Sequence, residues 1–145
     1  MNKFLNGVRV LEMGNFISGP YAGQLLAELG AEVIKIEKPD GGDPFRSFSK
    51  DMLSPQFCAY NRGKRSVTID VSEAQGREVL LKLVDSADVL LENFRPDVLD
   101  RLGIGWDVLS ARNPRLIYCN ISGVGPDGPY AKRPAYDTVA QSMSG

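Results

Sequence analysis

The residues best suited to chemistry lie in the stretch GNFISGPYAG, residues 14–23, between an apolar run and a segment with helical spacing. A glycine-rich turn between a strand and a helix is a common place to bind a phosphate. Gly14 and Gly19 have the GxxxxG spacing of a P-loop, but Pro20-Tyr21 stands where Lys-Ser/Thr is required. Nucleotide hydrolysis is therefore excluded. Two interpretations remain: a tight strand-to-helix turn, or a helix N-terminus whose amides face an anion or a thioester-like group.

The sequence contains no histidine. This excludes a Ser-His-Asp triad, an HExxH zinc site and acid-base catalysis by histidine. The two cysteines, Cys58 and Cys119, belong to no metal-spaced motif, so we predict no metal site and a reduced, cytoplasmic setting. Chemistry within these residues must use carboxylates, Lys, Arg, Tyr, Ser, Cys or backbone amides.

Basic residues cluster near the predicted ends of several strands. Lys35 and Lys38 lie at the end of the second strand, residues 62–65 precede the third, and Arg95 and Arg101 follow the fourth. Ligands of doubly wound sheets bind at the carboxyl ends of strands, which favours Lys38 and Arg95 and places residues 62–65 at the other edge. Each residue alone is adequately explained as a solvated cation. Together they would suit a ligand that carries several phosphates.

Strands and helices alternate along the chain, which predicts an α/β fold with a doubly wound, mostly parallel sheet. The predicted strands cover residues 8–13, 31–37, 66–70, 87–94 and 115–124, and the predicted helices cover residues 20–29, 72–84, 96–102, 106–112 and the segment from 136. Residues 39–64 are predicted to be irregular, and a loop of that length is usually functional.

Two predicted helix starts depend on specific residues. Ser18 or Gly19 is the expected N-cap of the first helix, with Pro20 at its first position. Leu25, Leu26 and Leu29 form the expected apolar face of that helix, and Gly30 is expected to end it. The segment Ser72–Gln75 has the pattern of a capping box for the next long helix.

Composition indicates one soluble domain. The chain has 145 residues, 43% of them hydrophobic, and 17 basic against 18 acidic residues give a net charge of −1. We therefore expect neither nucleic acid nor an anionic membrane as a partner. No run approaches the roughly 18–20 apolar residues of a transmembrane helix, and the N-terminus is not a signal peptide. Because a helix is only starting at residue 136, we expect residues 1–145 to be the N-terminal part of a longer protein.

Four segments match the sequence pattern of a known family. ENFRP, LDRLGIG and GPY…RPAYDTVAQ are specific to that pattern, and GAEVIKIE matches it well but is less diagnostic. Through them the sequence resembles the family III CoA-transferases over essentially the whole chain. The resemblance implies that residues 1–145 are the N-terminal portion of a Rossmann-like, CoA-binding large domain. It also implies a second domain further along the chain and an interlocked homodimer.

In that family coenzyme A is a substrate that lies across the carboxyl edge of the sheet, and the resemblance implies no permanently bound cofactor. The positions carried over are Phe16, Ile17 and Ser18 beside the thioester, Lys38 near the nucleotide, the backbone of Ile69, Asp70, Val71 and Ser72, the run Asn93, Phe94 and Arg95 along the ADP and pantetheine, and Arg101 toward a phosphate.

The resemblance also implies a mechanism. An aspartate attacks an acyl-CoA and forms a mixed anhydride, which is then converted into an aspartyl-CoA thioester. A free carboxylic acid finally takes the CoA from this thioester. That aspartate is expected downstream of Gly145, so the implied enzyme is a CoA-transferase while residues 1–145 alone are expected to be inactive. Tyr136 and Asp137 are candidates for the lining of the active site, and Asp137 is not assigned as the nucleophile.

Two departures from the family pattern bear on the alternatives. Tyr136 stands where the α-methylacyl-CoA racemase branch has a catalytic histidine, and a tyrosine with a pKa of about 10 is a poor base at neutral pH. Ile17 stands where the formyl-CoA branch has a glutamine, which puts formyl or oxalate specificity in doubt. A racemase-type isomerase and a non-catalytic CoA-binding or dimer-forming module remain alternatives. A nicotinamide-dependent dehydrogenase is disfavoured because GxGxxG is missing.

Overall fold

The computed structural model of the protein describes residues 3–51, 53–131 and 133–145. Within these ranges the strands are β1 (Arg9–Glu12), β2 (Glu32–Glu37), β3 (Arg65–Thr68), β4 (Val89–Glu92) and β5 (Ile117–Asn120). The helices are α1 (Ser18–Glu28), α2 (Pro55–Asn61), α3 (Ala74–Val84), α4 (Val98–Arg101), α5 (Trp106–Arg112) and α6 (Asp137–Ser144), and a short 3-10 helix covers Pro44–Phe48.

The strands form one sheet in the order β3-β2-β1-β4-β5, and every pair is parallel. The predicted α/β fold with a doubly wound parallel sheet is therefore confirmed. The direction of winding changes between β1 and β4, so the loops after these two strands leave the sheet on opposite sides. A crevice opens at such a point, outside the carboxyl ends of the strands.

Two apolar cores cover the two faces of the sheet. Because successive side chains of a strand point to opposite faces, neighbours in β1 enter different cores. Leu11 packs with Leu80 and Leu109 in the core under α3, α4 and α5, whereas Val10 packs with Leu91 in the core under α1. The central strands are thus buried on both faces, as parallel strands covered by helices should be.

The prediction that residues 39–64 are irregular is wrong. This segment contains the 3-10 helix and α2, and each begins with a proline that follows a side-chain cap. Asp43 accepts a hydrogen bond from the Phe45 N–H, and the Ser54 hydroxyl accepts one from the Phe57 N–H. Capping satisfies N–H groups that the first turn of a helix leaves without an intrahelical partner.

The predicted start and apolar face of α1 also need correction. The helix begins at Ser18 and Ile17 is its N-cap residue, so Pro20 is the third helical residue. Leu25 and Leu29 are 42% and 46% exposed. Leu26 packs against the core as predicted, together with Ala22 and Ala27. The fully buried positions are instead small residues and Gln24, because the helix lies close to the Glu12 side chain at the end of β1. Gly30, at φ 108°, ends the helix as predicted.

The predicted capping box before α3 is also wrong. The N-cap residue is Glu73, and no side chain caps this helix. The Ser72 hydroxyl donates to Asp70 Oδ1 at 2.5 Å, and the Ser72 N–H donates to the same oxygen at 3.0 Å. Short polar side chains readily form such local turns, which compete with helix capping.

Within the described parts of the chain, no helix combines the length and apolar character required to cross a membrane. The same residues contain no group of three or more His, Cys, Asp or Glu side chains placed to hold a metal ion. Cys58 and Cys119 are both free thiols.

Candidate functional site

Two cavities lie beyond the carboxyl ends of the strands. The smaller has a volume of about 330 Å³ and is formed by the last residues of β2 and by residues that follow β1, β2, β3 and β4. Its lining residues are Met13, Asn15, Ile36, Glu37, Lys38, Pro39, Asp40, Ile69, Asp70, Val71, Ser72, Phe94 and Leu102. The larger, of about 790 Å³, lies beyond β4 and β5.

The smaller pocket combines apolar walls with a polar rim. Ile36 and Ile69 are buried, and Phe94 packs against the same core. Lys38 is exposed at the rim. The hydrogen bonds from the Ser72 side chain and backbone hold the pKa of Asp70 below its usual range, so this neighbouring carboxyl stays ionised and internally bonded. The arrangement suits a flat apolar ring with an anionic group near Lys38.

Glu37 is used entirely within the protein. Its Oε1 accepts hydrogen bonds from the Asp43 N–H at 3.0 Å and from Arg46 Nε at 2.8 Å. Its Oε2 accepts from Arg46 Nη2 at 2.7 Å and from the Ser66 hydroxyl at 2.5 Å. Burial acts to raise the pKa of Glu37, but these hydrogen bonds outweigh it and lower the pKa to about 2. A carboxylate with four such bonds is not available to bind a ribose hydroxyl.

The larger cavity surrounds a buried carboxylate. Glu92 Oε1 accepts hydrogen bonds from the Tyr118 hydroxyl at 2.6 Å and from Asn120 Nδ2 at 2.5 Å. Its Oε2 accepts from the Phe94 N–H at 2.6 Å. Burial and the bond to this carboxylate raise the pKa of Tyr118, so its hydroxyl stays protonated as a donor. The Trp106 ring stacks on Tyr118 with centroids 5.9 Å apart.

The turn between β1 and α1 adjoins the smaller cavity. Asn15 lines the smaller pocket, and Asn93 from the β4 loop holds the Asn15 backbone from the other side. Phe16 has φ 61°, the left-handed region, which costs a residue other than glycine about 1–2 kcal/mol. Strain of this kind is frequent at functional sites.

Four charged side chains form a buried cluster next to this turn: Glu12, Lys35, Asp43 and Lys64. Lys35 Nζ lies 2.9 Å from Glu12 Oε1 and 3.0 Å from Asp43 Oδ2, and Lys64 Nζ lies 2.6 Å from Glu12 Oε2. The side chains of all four residues are at most 2% exposed. Two cations balance two anions, as burial of charge requires. Burial lowers the pKa of Lys64, and the Glu12 carboxylate counteracts that effect.

Comparison with known proteins identifies the family. The family model described as CoA-transferase family III matches residues 5–145. The chain belongs to CoA-transferase family III. Its relatives include the succinyl-CoA--L-malate CoA-transferase alpha subunit of Chloroflexus aurantiacus, with 44% identity over 97% of this chain and 34% of that protein. The formyl-CoA:oxalate CoA-transferase of Rhodopseudomonas palustris strain BisB18 is 46% identical over 100% of this chain and 34% of that protein.

Solved structures agree with this assignment. A crystal structure of Rv3272 from Mycobacterium tuberculosis has a TM-score of 0.91 and 45% identity, over 97% of this chain and 40% of that chain. A CAIB/BAIF family protein from Brucella suis has a TM-score of 0.92 and 43% identity, over 99% of this chain and 39% of that chain. The chain thus spans about a third of the length of the curated relatives and about two fifths of these structures.

In this member of CoA-transferase family III, the structure brings together most of the residues singled out from sequence. Lys38, Ile69, Asp70, Val71, Ser72 and Phe94 all line the smaller pocket. Phe16, Ile17 and Ser18 form the adjoining turn, and Asn93 donates to the Ser18 hydroxyl at 2.9 Å. Arg95 lies apart from them, in the larger cavity.

The other predicted residues lie outside these cavities. Arg101 is exposed in α4, one position before the pocket residue Leu102, and its Nε donates to the Asp97 carbonyl. Tyr136 packs edge-on against Phe16 with centroids 6.2 Å apart. Asp137 begins α6 and accepts a hydrogen bond from Gln141.

The expectation that Lys35 joins a phosphate-binding cluster is wrong, because the buried carboxylates use its charge. Residues 62–65 also have internal partners: Arg62 pairs with Glu28, Arg65 with Glu32, and Lys64 with Glu12. The sequence contained a signal for the buried pair, since Glu12 and Lys35 have opposite charges and each directly follows two apolar residues of its strand. Their register sets Glu12 directly opposite Lys35.

Proposed function

We propose that the full natural chain that carries this sequence transfers CoA from an acyl-CoA to a free carboxylic acid. The observation that carries the proposal is the pocket beyond β1–β4, where six residues predicted to bind CoA line one cavity. The family assignment supports CoA chemistry, and the pocket lies where doubly wound sheets bind their ligands.

The proposed orientation of CoA follows from the chemistry of its parts. The adenine ring occupies the apolar slot between Ile36, Ile69 and Phe94. Lys38 and Arg101 attract the phosphates from the rim, because cations favour phosphate binding there. The pantetheine arm crosses the crevice toward the turn at residues 16–18, where the thioester reacts.

The proposed chemistry conserves the acyl group and the thiol. An aspartate outside residues 1–145 attacks the thioester carbonyl, the CoA thiolate leaves, and a mixed anhydride forms. The thiolate then attacks the enzyme carbonyl of the anhydride and releases the donor acid. The incoming carboxylate attacks the resulting aspartyl thioester and displaces the CoA thiolate, which gives a new anhydride. The thiolate then attacks the acceptor's carbonyl of that anhydride, which forms the product acyl-CoA and releases the aspartate carboxylate. No redox partner or metal is needed for these steps.

We also propose that the complete protein is a homodimer, on the basis of its resemblance to the family, and that it is cytoplasmic, on the basis of its cysteine content. Names of relatives include succinate, glutarate, L-malate and oxalate as acids, which defines a first panel of acceptors. Size-exclusion chromatography with light scattering measures the oligomeric state, and a monomer would contradict the proposed dimer.

The test is a turnover assay with the full natural chain. Succinyl-CoA and formyl-CoA serve as donors with the four acids above, and chromatography quantifies each new acyl-CoA. Transfer between at least one pair is expected, with an enzyme-bound thioester that hydroxylamine intercepts. CoA binding without transfer would favour a non-catalytic module. Exchange of the Cα hydrogen of a branched acyl-CoA in heavy water, without transfer, would favour the racemase-type alternative.

A further inference from the structure

The Asn93 side chain continues the hydrogen bonding between β1 and β4 beyond the end of the strands. The last backbone bond of this pair runs from the Met13 N–H to the Leu91 carbonyl at 2.8 Å. Two residues further on, Asn93 Oδ1 accepts from the Asn15 N–H and Asn93 Nδ2 donates to the Asn15 carbonyl, both at 2.8 Å. A side-chain amide thus replaces a peptide group where the two strands diverge.

The packing around this amide leaves little freedom. A Cβ on Gly19 would lie 3.0 Å from Asn93 Cγ and 3.0 Å from the Gly14 Cα, closer than side chains normally approach. Asn93 Nδ2 also donates to the Ser18 hydroxyl at 2.9 Å. Since an amide nitrogen has two hydrogens, both donors of Asn93 are used within the protein.

The opposite side of the turn is held by the buried charges. Lys35 Nζ donates to the Gly14 carbonyl at 2.7 Å, and Asp43 Oδ1 accepts from the Phe16 N–H at 3.3 Å. Side chains from the β4 loop, from β2 and from the segment before the 3-10 helix therefore bind consecutive backbone groups of residues 14–16. These contacts hold Phe16 in its left-handed conformation against the cost of that conformation.

We propose that Asn93 is a positioning residue for CoA transfer: its side chain fixes the turn at residues 14–18, with Lys35 and Asp43 fixing the other side. This inference rests on the proposed function. The resemblance placed Asn93 along the ADP and pantetheine of CoA, whereas both side-chain donors of Asn93 are occupied within the protein. A turn held rigidly in advance keeps the reacting thioester aligned, and a misplacement of about 1 Å can cost ~100-fold in rate.

Asn113 provides a matched control. Its Nδ2 donates to the carbonyls of Val84 and Ala87, both at 2.8 Å, and its Oδ1 accepts from the Arg115 N–H at 3.1 Å. It therefore ties a turn with the same number of hydrogen bonds, but before β5, at the amino edge of the sheet. Asn93→Ala and Asn113→Ala remove equivalent bonds at opposite edges.

The experiment compares both variants in the full natural chain. We expect similar losses in thermal stability but a fall in kcat for CoA transfer of about 10- to 100-fold only in Asn93→Ala, with little change in CoA affinity. Amide hydrogen exchange at residues 15–18 should accelerate only in that variant. Reduced CoA affinity with unchanged kcat would overturn the positioning role, and so would an equal loss of kcat in both variants.

The two proposals fail in different ways. If the unmodified protein transfers no CoA, the proposed function fails, while hydrogen exchange still reports whether Asn93 holds the turn. Unchanged exchange at residues 15–18 in Asn93→Ala would contradict the positioning role whatever the activity.

Discussion

Replacing Glu37 with Gln tests whether the ionised carboxylate stabilises the loop beside the pocket. The substitution preserves size but removes the charge that accepts two hydrogen bonds from Arg46. The pKa of Glu37 is lowered from 4.5 to about 2 in the folded protein. That difference corresponds to ~3 kcal/mol of stabilisation at neutral pH, which sets the size of the pH-dependent part of the loss expected in Glu37→Gln.

The pH dependence gives the sharper test. Because the pKa of Glu37 is lower in the folded than in the unfolded state, its stabilising effect is complete above pH 4.5. The effect is lost as the pH falls toward about 2, where the folded protein also binds the proton. We therefore expect the difference in stability between the unmodified protein and Glu37→Gln to be largest near neutral pH. It should shrink steadily in acid.

Chemical denaturation of the full natural chain, followed by circular dichroism over a series of pH values, measures this difference. Asp85→Asn is the control, because Asp85 makes the same two-pronged pair with Arg112 where both side chains are more than 40% exposed. Solvent screens such pairs, so its effect should be clearly smaller. A deficit in Glu37→Gln that stays constant with pH, or that is absent at pH 7, would refute the reasoning.

Three further predictions use the same protein. Lys64→Met leaves the buried Glu12 carboxylate with one cation fewer and should lower the free energy of unfolding by roughly 3–5 kcal/mol, measured by chemical denaturation. Adding Glu12→Gln should restore part of that loss. No recovery in the double variant would contradict the pairing. Gly23→Ala should lower the midpoint of thermal unfolding, because the new Cβ would overlap the Glu12 carboxylate. Alanine by itself favours helices over glycine, so a raised midpoint would show that the carboxylate moves freely. Arg101→Ala should weaken CoA binding in calorimetry and reduce its dependence on salt, whereas unchanged binding would remove Arg101 from the phosphate site.

Local sequence signals predicted the elements with clear boundaries. Helix α5 has the predicted limits because Gly105 precedes it and Asn113-Pro114 stops it. The two short helices within residues 39–64 were missed, although Asp43-Pro44 and Ser54-Pro55 are caps followed by proline. Their few turns are too short to establish a helical period, and their aromatic residues pack partly with each other and partly with Phe16 and Tyr21.

The grouping of candidate residues at strand ends was predictable, whereas contacts that depend on long-range packing were not. Lys38 and residues 69–72 meet in one pocket because parallel strands end at the same edge. Lys35 and Asp43 bind the turn at residues 14–16 from one side. Their positions depend on the register of β1 with β2 and on the path of the loop after β2. The Asn93 contact joins residues 78 positions apart and requires β4 to lie beside β1.

The most direct test of the central claim is a crystal structure of the full natural chain with CoA bound. We expect the adenine in the pocket formed by residues 36–40 and 69–72, with the thiol directed toward residues 16–18. CoA bound in the larger cavity beyond β4 and β5, with the smaller pocket empty, would contradict it.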